Sequence, residues 1–382
     1  MATRKRVPTI DIRTAIVQPE QTMWAMHAGG SRKFADTFRD QSVIFLDLPG
    51  VQLSAEVLKD ATMLRRHVRM SEAVVKYHRA IARGKTATVS RDPSYYRVRH
   101  RGESKAGLSA RLGNVYALFQ EMKEGDIVFV PQFDGGVSRI AAGIVRDSFS
   151  SRFVVHHESY PGEKIPARHV EWIGQPALRK DFGGDLSLRF SNRHAIIRLQ
   201  RNLRRPALAP IYRNVAVDNS SQCDIQGRAY DGKKIFSLID AINLLNDNIA
   251  FIGERTLGGQ IAIARAGTVP SSRAAIESAL LEFGVEFHSP GSFRTALKGA
   301  VGAAVLVGLL HCFISDYPQD VLANSVSITN SVAANDTKVS PEAQTIIRSI
   351  MSDLDANEFN NIRQRSKKSV KEIGLDVDGQ LE

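Results

Sequence analysis

"GDIVFVPQFDGGVSRIAAGIVRD", residues 125–147, is the strongest structural signal in the first half of this chain. Two apolar runs rich in Val, Ile and Phe flank Asp134-Gly135-Gly136. An Asp-Gly pair between two runs of strand-forming residues predicts a tight β-hairpin. The stretch therefore predicts a small curved sheet built around this hairpin.

Helices and further strands surround the hairpin. "QSVIFLDLPG" (41–50) predicts a strand that ends at Pro49 and Gly50. Residues 52–84 and "LGNVYALFQEM" (112–122) have Leu and Val at spacings of three and four, which predicts amphipathic helices. "RFVVHHESY" (152–160) and "ARHVEWIG" (167–174) predict additional strands. The expected fold class is α+β.

Length and composition indicate two or three domains. The chain has 382 residues, of which 43% are hydrophobic, which is enough for more than one core. The Pro206–Pro210 segment interrupts both helix and strand patterns and predicts a boundary near 206–212. The expected parts are a basic arm (1–21), a first domain (22–205), an α+β association domain (212–296), and an apolar helix with a helical tail (297–382).

The N-terminal segment and the cysteines are informative about localisation. The basic start "MATRKRVPTIDIRTA" is followed by no apolar run of signal-peptide length, so it predicts a solvated arm. Cys223 and Cys312 are too few for a disulfide framework or a cysteine-rich zinc site. A cytoplasmic protein is expected.

The charge is concentrated in the first half. Residues 1–205 contain 35 Lys and Arg against 20 Asp and Glu, whereas the remainder contains 16 against 20. Such a surplus attracts polyanions and favours a nucleic-acid or nucleotide ligand. The alternative is a set of helix-face arginines that serve solubility.

The order of motifs resembles a known family. The chain has a Trp-x-x-x-Ala-Gly-Gly start at Trp24, a helix with Phe34 and Phe38, "SVIFLDL", "NVYALFQEMKEGD", the hairpin, and "RHVEW". Together, over about residues 22–200, these resemble the N-terminal module that precedes Mrr-type nuclease domains in bacterial restriction and defence proteins. The hairpin also resembles the PUA-like group, which includes the EVE and YTH domains. His27 stands where that family usually has an arginine.

The resemblance implies a pocket for a flipped base, often a modified one, between aromatic faces and backbone groups. A ring offers stacking, and glycines let the backbone approach a ligand closely. On this interpretation Trp24 is a pocket wall, Gly29 and Gly30 form its lip, His27 remains a donor, and Arg32 and Lys33 lie near phosphate. The alternative is that Trp24 is a core ring and Gly29-Gly30 a turn.

A second candidate region is "RDPSYYRVRHRGESK" (91–105), which interleaves aromatic and cationic side chains. Such a mixture is typical of a nucleic-acid-binding loop, although a polar edge strand or mobile loop has the same composition. Arg168 is predicted as a rim cation of the pocket, Trp172 as a core residue, and Asp126 as the organiser of a turn. The residues predicted to contact nucleic acid in this second group are Tyr95, Tyr96, Arg97, Arg99, Arg101 and Arg168.

Catalysis and cofactors are not expected. An Mrr-type nuclease domain needs an Asp followed by a Glu or Gln with a Lys two residues on, and no such arrangement follows residue 206. His156, His157 and His169 lack spaced cysteines or carboxylates, so no metal site is predicted.

The second half predicts an association domain. "GKKIFSLIDAINLLND" (232–247) predicts a helix, residues 248–267 a hairpin that turns at Gly258-Gly259, "PSSRAAIESALLEFG" (270–284) a helix, and "VEFHSPG" (285–291) a strand. With a first strand at 214–219 or 227–232, this is the β-α-β-β-α-β order of a ferredoxin-like fold.

Residues 299–315 form an uncharged run of 17 residues between Lys298 and Asp316. It is at the lower limit for a membrane span, and its three glycines and one histidine favour a buried helix. The tail from Val339 predicts a docking helix with a Ser340 cap, Pro341 at its first position, and a loose end.

The sequence favours a non-catalytic nucleic-acid-binding protein, a candidate sensor of modified bases in a prokaryotic restriction or antiphage defence system. Its expected partners are DNA or RNA, a second copy of the chain and co-encoded defence proteins. The alternatives are a membrane-acting effector gated by a nucleic-acid or nucleotide signal, and a metal-dependent nuclease.

Overall fold

The computed structural model describes residues 7–98, 104–134, 136–150, 153–191, 194–256, 273–286, 291–333 and 336–381. Two compact units are present. One is Glu20–Ala207, called unit A here, and the other combines Leu208–Glu382 with the segment that ends at Pro19, called unit B.

Sixteen strands lie in the described residues. They are β1 (Thr9–Asp11), β2 (Thr14–Val17), β3 (Met23–Met26), β4 (Val43–Phe45), β5 (Ile127–Asp134), β6 (Val137–Val145), β7 (Val154–Val155), β8 (Ile165–Leu178), β9 (Ile196–Arg198), β10 (Asn214–Val217), β11 (Ser220–Gly227), β12 (Leu280–Glu286), β13 (Gly291–Lys298), β14 (Ser327–Thr329), β15 (Leu375–Val377) and β16 (Gln380–Leu381).

Twelve α-helices lie in the same residues, together with short 3₁₀ turns. They are α1 (Ala35–Asp40), α2 (Ala55–Lys59), α3 (Ala61–Ile81), α4 (Lys105–Tyr116), α5 (Gly184–Arg189), α6 (Arg204–Leu208), α7 (Ile235–Thr256), α8 (Arg273–Ala279), α9 (Gly302–Ile314), α10 (Gln319–Ser325), α11 (Val339–Asp353) and α12 (Ala356–Ile373).

Unit A contains a curled half-barrel sheet with the strand order β4-β8-β6-β5-β3-β9, and β7 pairs with β8. The pairing of β3 with β5 is parallel, whereas the other pairs are antiparallel. The predicted hairpin is confirmed, since β5 and β6 pair with Asp134 opposite Val137. The α+β class is therefore confirmed, with a mixed, curved sheet at its centre.

The predicted helices of residues 52–84 are α2 and α3. Asp60 begins α3 by accepting hydrogen bonds from the backbone N–H groups of Thr62 and Met63 at 2.7 and 3.1 Å. Leu64, Val68 and Val74 are buried on the same side of α3. Burial of this stripe in the core of unit A holds α3 beside the sheet.

Unit B has two mixed sheets, in the orders β12-β13-β11-β10-β2 and β14-β1-β16, with β15 added to β11. The prediction of a solvated N-terminal arm is wrong for residues 9–17. β1 pairs in parallel with β14, and β2 pairs in parallel with β10. Ile10 and Ile12 are fully buried in the core of unit B, and this apolar burial outweighs the basic residues that precede them.

The predicted hairpin at 248–267 is wrong in its first half. Residues from Asn248 onward continue α7, and Ile249 and Ile252 are fully buried, because the apolar spacing of the helix extends past Asp247. The turn proposed at Gly258-Gly259 lies outside the described residues. Among the described residues, the order in this region is β10-β11-α7-α8-β12-β13, and α7 occupies the place of the second strand of the predicted ferredoxin-like order.

The predicted helix over 270–284 is also only half correct. α8 ends at Ala279, and β12 occupies residues 280–286, antiparallel to β13. Leu280 and Phe283 pack against the core of unit B from this strand. Tertiary pairing therefore overrides the local helical pattern here.

The apolar run forms α9, which lies at the centre of unit B. Its residues from Gly302 to Leu310 are all buried, and it packs on α7, α11 and α12. Gly308 allows close packing, because a Cβ there would lie 2.3 Å from Ile347 Cδ1. Among the described residues, one helical segment, Ile235–Gly253, has the length and composition to cross a membrane, and half of it is buried.

The tail contains two helices and a strand. Asp336, and not Ser340, accepts the first N–H groups of α11, at 3.2, 2.7 and 3.0 Å. α12 begins with a capping box between Asp355 and Glu358 and ends at Gly374, whose φ is 62°. The prediction of a loose chain end is wrong, since β15 pairs with β11.

Candidate functional site

A cavity of about 590 Å³, called the main cavity here, opens in unit A. The loop after β3, the residues that follow β4, and the end of α4 surround it. The lining residues are His27, Gly29, Gly30, Ser31, Arg32, Phe45, Leu46, Asp47, Leu48, Arg111, Asn114, Val115, Ser191 and Ala195. Its volume is within the range of small-ligand pockets, roughly 300–1,000 Å³.

The loop at the cavity wall has an unusual backbone. Gly29, Ser31 and Arg32 have φ angles of 74°, 54° and 57°. The left-handed region costs a non-glycine residue roughly 1–2 kcal/mol, so Ser31 and Arg32 are held there by their surroundings. The backbone N–H of His27 donates to the Ala195 carbonyl at 2.9 Å, which fixes the start of this loop. Strained backbone of this kind is typical of ligand sites.

The two adjacent glycines have different roles. A Cβ on Gly29 would lie 2.6 Å from the ring of Phe34, and its φ is in the left-handed region, so the fold requires glycine there. A Cβ on Gly30 would meet no atom within 4 Å. Gly30 therefore leaves an exposed stretch of backbone at the cavity, where a ligand can approach it.

The floor of the cavity is apolar. Phe45, Leu48 and Val115 are buried, with exposures of 5% or less. The rings of Phe34 and Phe38 pack against Phe45, with centroids 4.8 and 4.9 Å from it. The two phenylalanines that the sequence placed in a helix thus support the floor from below.

The polar side of the cavity is centred on Asp47. Lys33 Nζ lies 2.8 Å from Asp47 Oδ2, and the Tyr160 hydroxyl donates to Asp47 Oδ1 at 2.6 Å. Burial, with the hydrogen bond to Asp47, raises the pKa of Tyr160 far above its usual value, so this hydroxyl keeps its proton. Lys33, predicted near phosphate, forms this ion pair and is not among the residues that line the cavity.

Arg32 and Arg111 provide cations at the cavity. Burial, together with repulsion from Arg179, lowers the pKa of Arg32, and burial lowers that of Arg111. Arg111 forms an ion pair with Glu72. Both guanidinium groups remain charged at neutral pH, because an arginine pKa starts above 12. Arg32 lines the cavity, and its predicted contact with a phosphate stays a prediction.

Trp24 lies in the core of unit A, with 2% of its surface exposed. Its indole N–H donates to Asp126 Oδ2 at 2.9 Å. Asp126 also accepts from the backbone N–H groups of Thr22 and Lys123 at 2.8 and 3.0 Å. Of the two interpretations of Trp24, this geometry supports packing, and Asp126 organises the turn as predicted.

Arg168 is a buried residue, and its prediction as a rim cation is wrong. Its exposure is 1%, and its guanidinium donates to the carbonyls of Leu118, Met122 and Asp147. Burial lowers its pKa. Leu118 and Met122 belong to the π-helical turn (Ala117–Glu121) that follows α4 and to its C-cap, where a helix leaves its last carbonyls without helical partners. Arg168 binds these two carbonyls and that of Asp147 from β8.

The predicted contact residues in the 91–105 segment differ in their exposure. Tyr95 is 74% exposed, whereas Tyr96 is 3% exposed and donates to the Ser90 carbonyl at 3.0 Å. Arg97 is exposed, and its carbonyl accepts a hydrogen bond from Arg69. Arg99 and Arg101 lie outside the described residues. Tyr95 and Arg97 are therefore available to a ligand at this surface.

Several cavity residues were not predicted from the sequence. Asp47 lies two residues after the end of β4, and nothing in the local pattern distinguishes it from a loop residue. Arg111 and Asn114 are three residues apart on α4, so they share a face. That spacing alone did not distinguish them from a solvated helix face. In the part of the chain that the structure describes, no group of three or more His, Cys, Asp or Glu side chains is placed to hold a metal ion.

Comparison with known proteins adds no assignment. No family model matches the chain, and neither a curated protein nor a solved structure matches it.

Proposed function

We propose that unit A binds a base of a nucleic acid in the main cavity and acts as a non-catalytic sensor, in the manner of a PUA-like domain. The observation that carries this proposal is the cavity of about 590 Å³ with a left-handed backbone loop at its wall. A base taken out of a helical stack needs a pocket of this kind, with apolar contact for its faces and polar groups for its edge.

The lining of the cavity supplies both kinds of contact. Phe45, Leu48 and Val115 offer apolar surface to the faces of a base. Asn114 offers a donor and an acceptor, and the exposed backbone at Gly30 offers further groups for the base edge. The ring of Trp24 plays no direct part in this proposal, since it packs in the core.

The charge of the first half supports a polyanionic ligand. Residues 20–207, which form unit A, contain 31 Lys and Arg against 19 Asp and Glu, an excess of 12. Phosphate contacts from such a surface supply the affinity that does not depend on sequence, while the cavity supplies selectivity for one base or modification.

The wider role rests on the family resemblance of residues 22–200. By that resemblance the chain acts in a prokaryotic restriction or antiphage defence system, on DNA or RNA that carries an unusual base. Unit B then serves association with a second copy or with co-encoded proteins.

The test is equilibrium binding to labelled single-stranded, duplex and base-modified DNA and RNA. Asn114→Phe places a ring in the main cavity, and Ser109→Phe places the same ring on an exposed position of the same helix outside the lining. We expect Asn114→Phe to lose at least about tenfold in affinity for the preferred probe, which corresponds to roughly 1.4 kcal/mol of binding free energy. Equal affinity for the two variants, or no binding of any probe by the unmodified protein, would overturn the proposal.

A further inference from the structure

Two more cavities continue from the main cavity along α3. A cavity of about 330 Å³, the second cavity, shares Asp47, Leu48 and Arg111 with the main cavity. A shallower depression of about 730 Å³, the third cavity, shares Lys76 with the second. The main and second cavities adjoin at three lining residues, and the second and third meet at the exposed side chain of Lys76; this run of cavities is called the path here.

The second cavity presents positive charge. Its two carboxylates are already paired, Asp47 with Lys33 and Glu72 with Arg111. Lys76 and Arg79 are exposed on α3, and within the described residues neither forms an ion pair or a hydrogen bond. These two cations are therefore available to an anion that enters the path.

A buried hydroxyl also points to a ligand in the second cavity. Ser71 is 1% exposed and lines this cavity, and its Oγ has no hydrogen-bond partner among the described residues. A buried hydroxyl without a partner is unfavourable, because it has lost its hydrogen bonds to water and gained none in the protein. A phosphate or sugar oxygen in the cavity would satisfy it.

The third cavity presents an aromatic face. Tyr95 is 74% exposed, and its ring packs edge-on against the buried ring of Tyr96, with centroids 5.4 Å apart. Tyr96 is in turn fixed by its hydrogen bond to Ser90. Tyr95 is thus supported from one side and open on the other, as a stacking platform requires.

We propose that this path binds a single strand that leaves the main cavity, with phosphates at Lys76 and Arg79 and a neighbouring base stacked on Tyr95. The proposal rests on the proposed function, since it extends the site of the bound base by the adjoining nucleotides. A paired strand keeps both faces of its bases in the stack, so it cannot present a base to Tyr95. The substrate class is therefore a single strand or an unpaired region, and not a continuous duplex.

The test measures affinity against probe length, with the full chain and labelled mononucleotide, tetranucleotide and octanucleotide single strands of the base that binds best. The variants are Tyr95→Ala and the double variant Lys76→Gln/Arg79→Gln. Lys59→Gln is the matched control, an exposed cation at the end of α2 that lines none of the three cavities.

We expect the unmodified protein to bind the octanucleotide more tightly than the mononucleotide. Tyr95→Ala should weaken octanucleotide binding at least about fivefold and leave mononucleotide binding unchanged. The double variant should reduce the slope of log K against log salt by about 1.4, because each contact with a single strand contributes roughly 0.7. Lys59→Gln should match the unmodified protein.

Three results would overturn the single-strand path. They are affinity that does not depend on probe length, octanucleotide binding that Tyr95→Ala leaves unchanged, and a duplex that binds as tightly as the single strand. Failure of the main cavity gives a different result, since Asn114→Phe would then leave mononucleotide binding unchanged.

Discussion

Replacement of Trp24 by leucine should lower the stability of unit A, and any loss of ligand binding should follow from that loss of stability. The indole is 2% exposed, and substitution of a buried tryptophan by alanine costs about 3–5 kcal/mol, of which leucine recovers part. The variant also loses the hydrogen bond from the indole to Asp126, and a bond to a charged group contributes about 1.5–3 kcal/mol. The expected loss in the free energy of unfolding is therefore about 3–5 kcal/mol.

The assay is denaturant unfolding followed by tryptophan fluorescence. The chain has two tryptophans, Trp24 and Trp172, and both lie in unit A, so their fluorescence reports the unfolding of this unit. Trp172 remains as the reporter in Trp24→Leu. Trp24→Phe is the matched variant, because it keeps a ring but loses the donor, and it should lose about half as much stability. If Trp24→Leu kept its unfolding midpoint but lost nucleic-acid binding, this result would contradict the core role and indicate that Trp24 contacts the ligand.

Three further predictions follow from individual residues. Gly29→Ala should cost at least about 1 kcal/mol through its left-handed φ and its contact with Phe34, whereas Gly30→Ala should change stability by less than about 0.5 kcal/mol; equal losses by thermal unfolding would contradict this. Arg168→Met should cost about 3–5 kcal/mol by the same fluorescence assay, because it leaves three carbonyls without their donor, and a neutral result would show that they find other partners. Burial lowers the pKa of His311 in the folded chain, so the unfolded chain takes up a proton first and stability should fall as the pH drops below about 6.5. His311→Gln should reduce this loss, measured as the unfolding midpoint by circular dichroism, and the same pH dependence in the variant as in the unmodified protein would contradict the prediction.

Local signals in the sequence predicted the elements of unit A but not the partners of its charged residues. The Asp-Gly turn and the alternating apolar runs were sufficient for the β5–β6 hairpin, since both are local features. Arg168 looked like a rim cation because arginine is usually exposed, and its burial depends on carbonyls about 50 positions earlier in the chain. Gly29 and Arg32 line the candidate cavity, because the glycine pair and the adjacent cation form one loop, and their contact with nucleic acid stays a prediction.

The errors in unit B have the same origin. The burial of β1 and β2 depends on strands that lie 200 or more positions later in the chain, β14 and β10. Nothing in the local pattern of residues 1–21 indicates those pairings, and the basic residues before Val7 dominated the interpretation. α7 was predicted too short because residues 248–267 were interpreted as a hairpin that turns at Gly258-Gly259, whereas the Asn248 amide donates to the Leu244 carbonyl within the helix.

The most direct measurement of the central claim is photo-crosslinking of an oligonucleotide that carries a photoreactive base at the recognised position, followed by mass-spectrometric mapping of the adducts. The base-binding account predicts adducts within residues 27–32, 45–48 or 111–115, which line the main cavity, and their loss in Asn114→Phe but not in Ser109→Phe. Adducts confined to residues 208–382, or adducts that persist in Asn114→Phe at an unchanged yield, would contradict it.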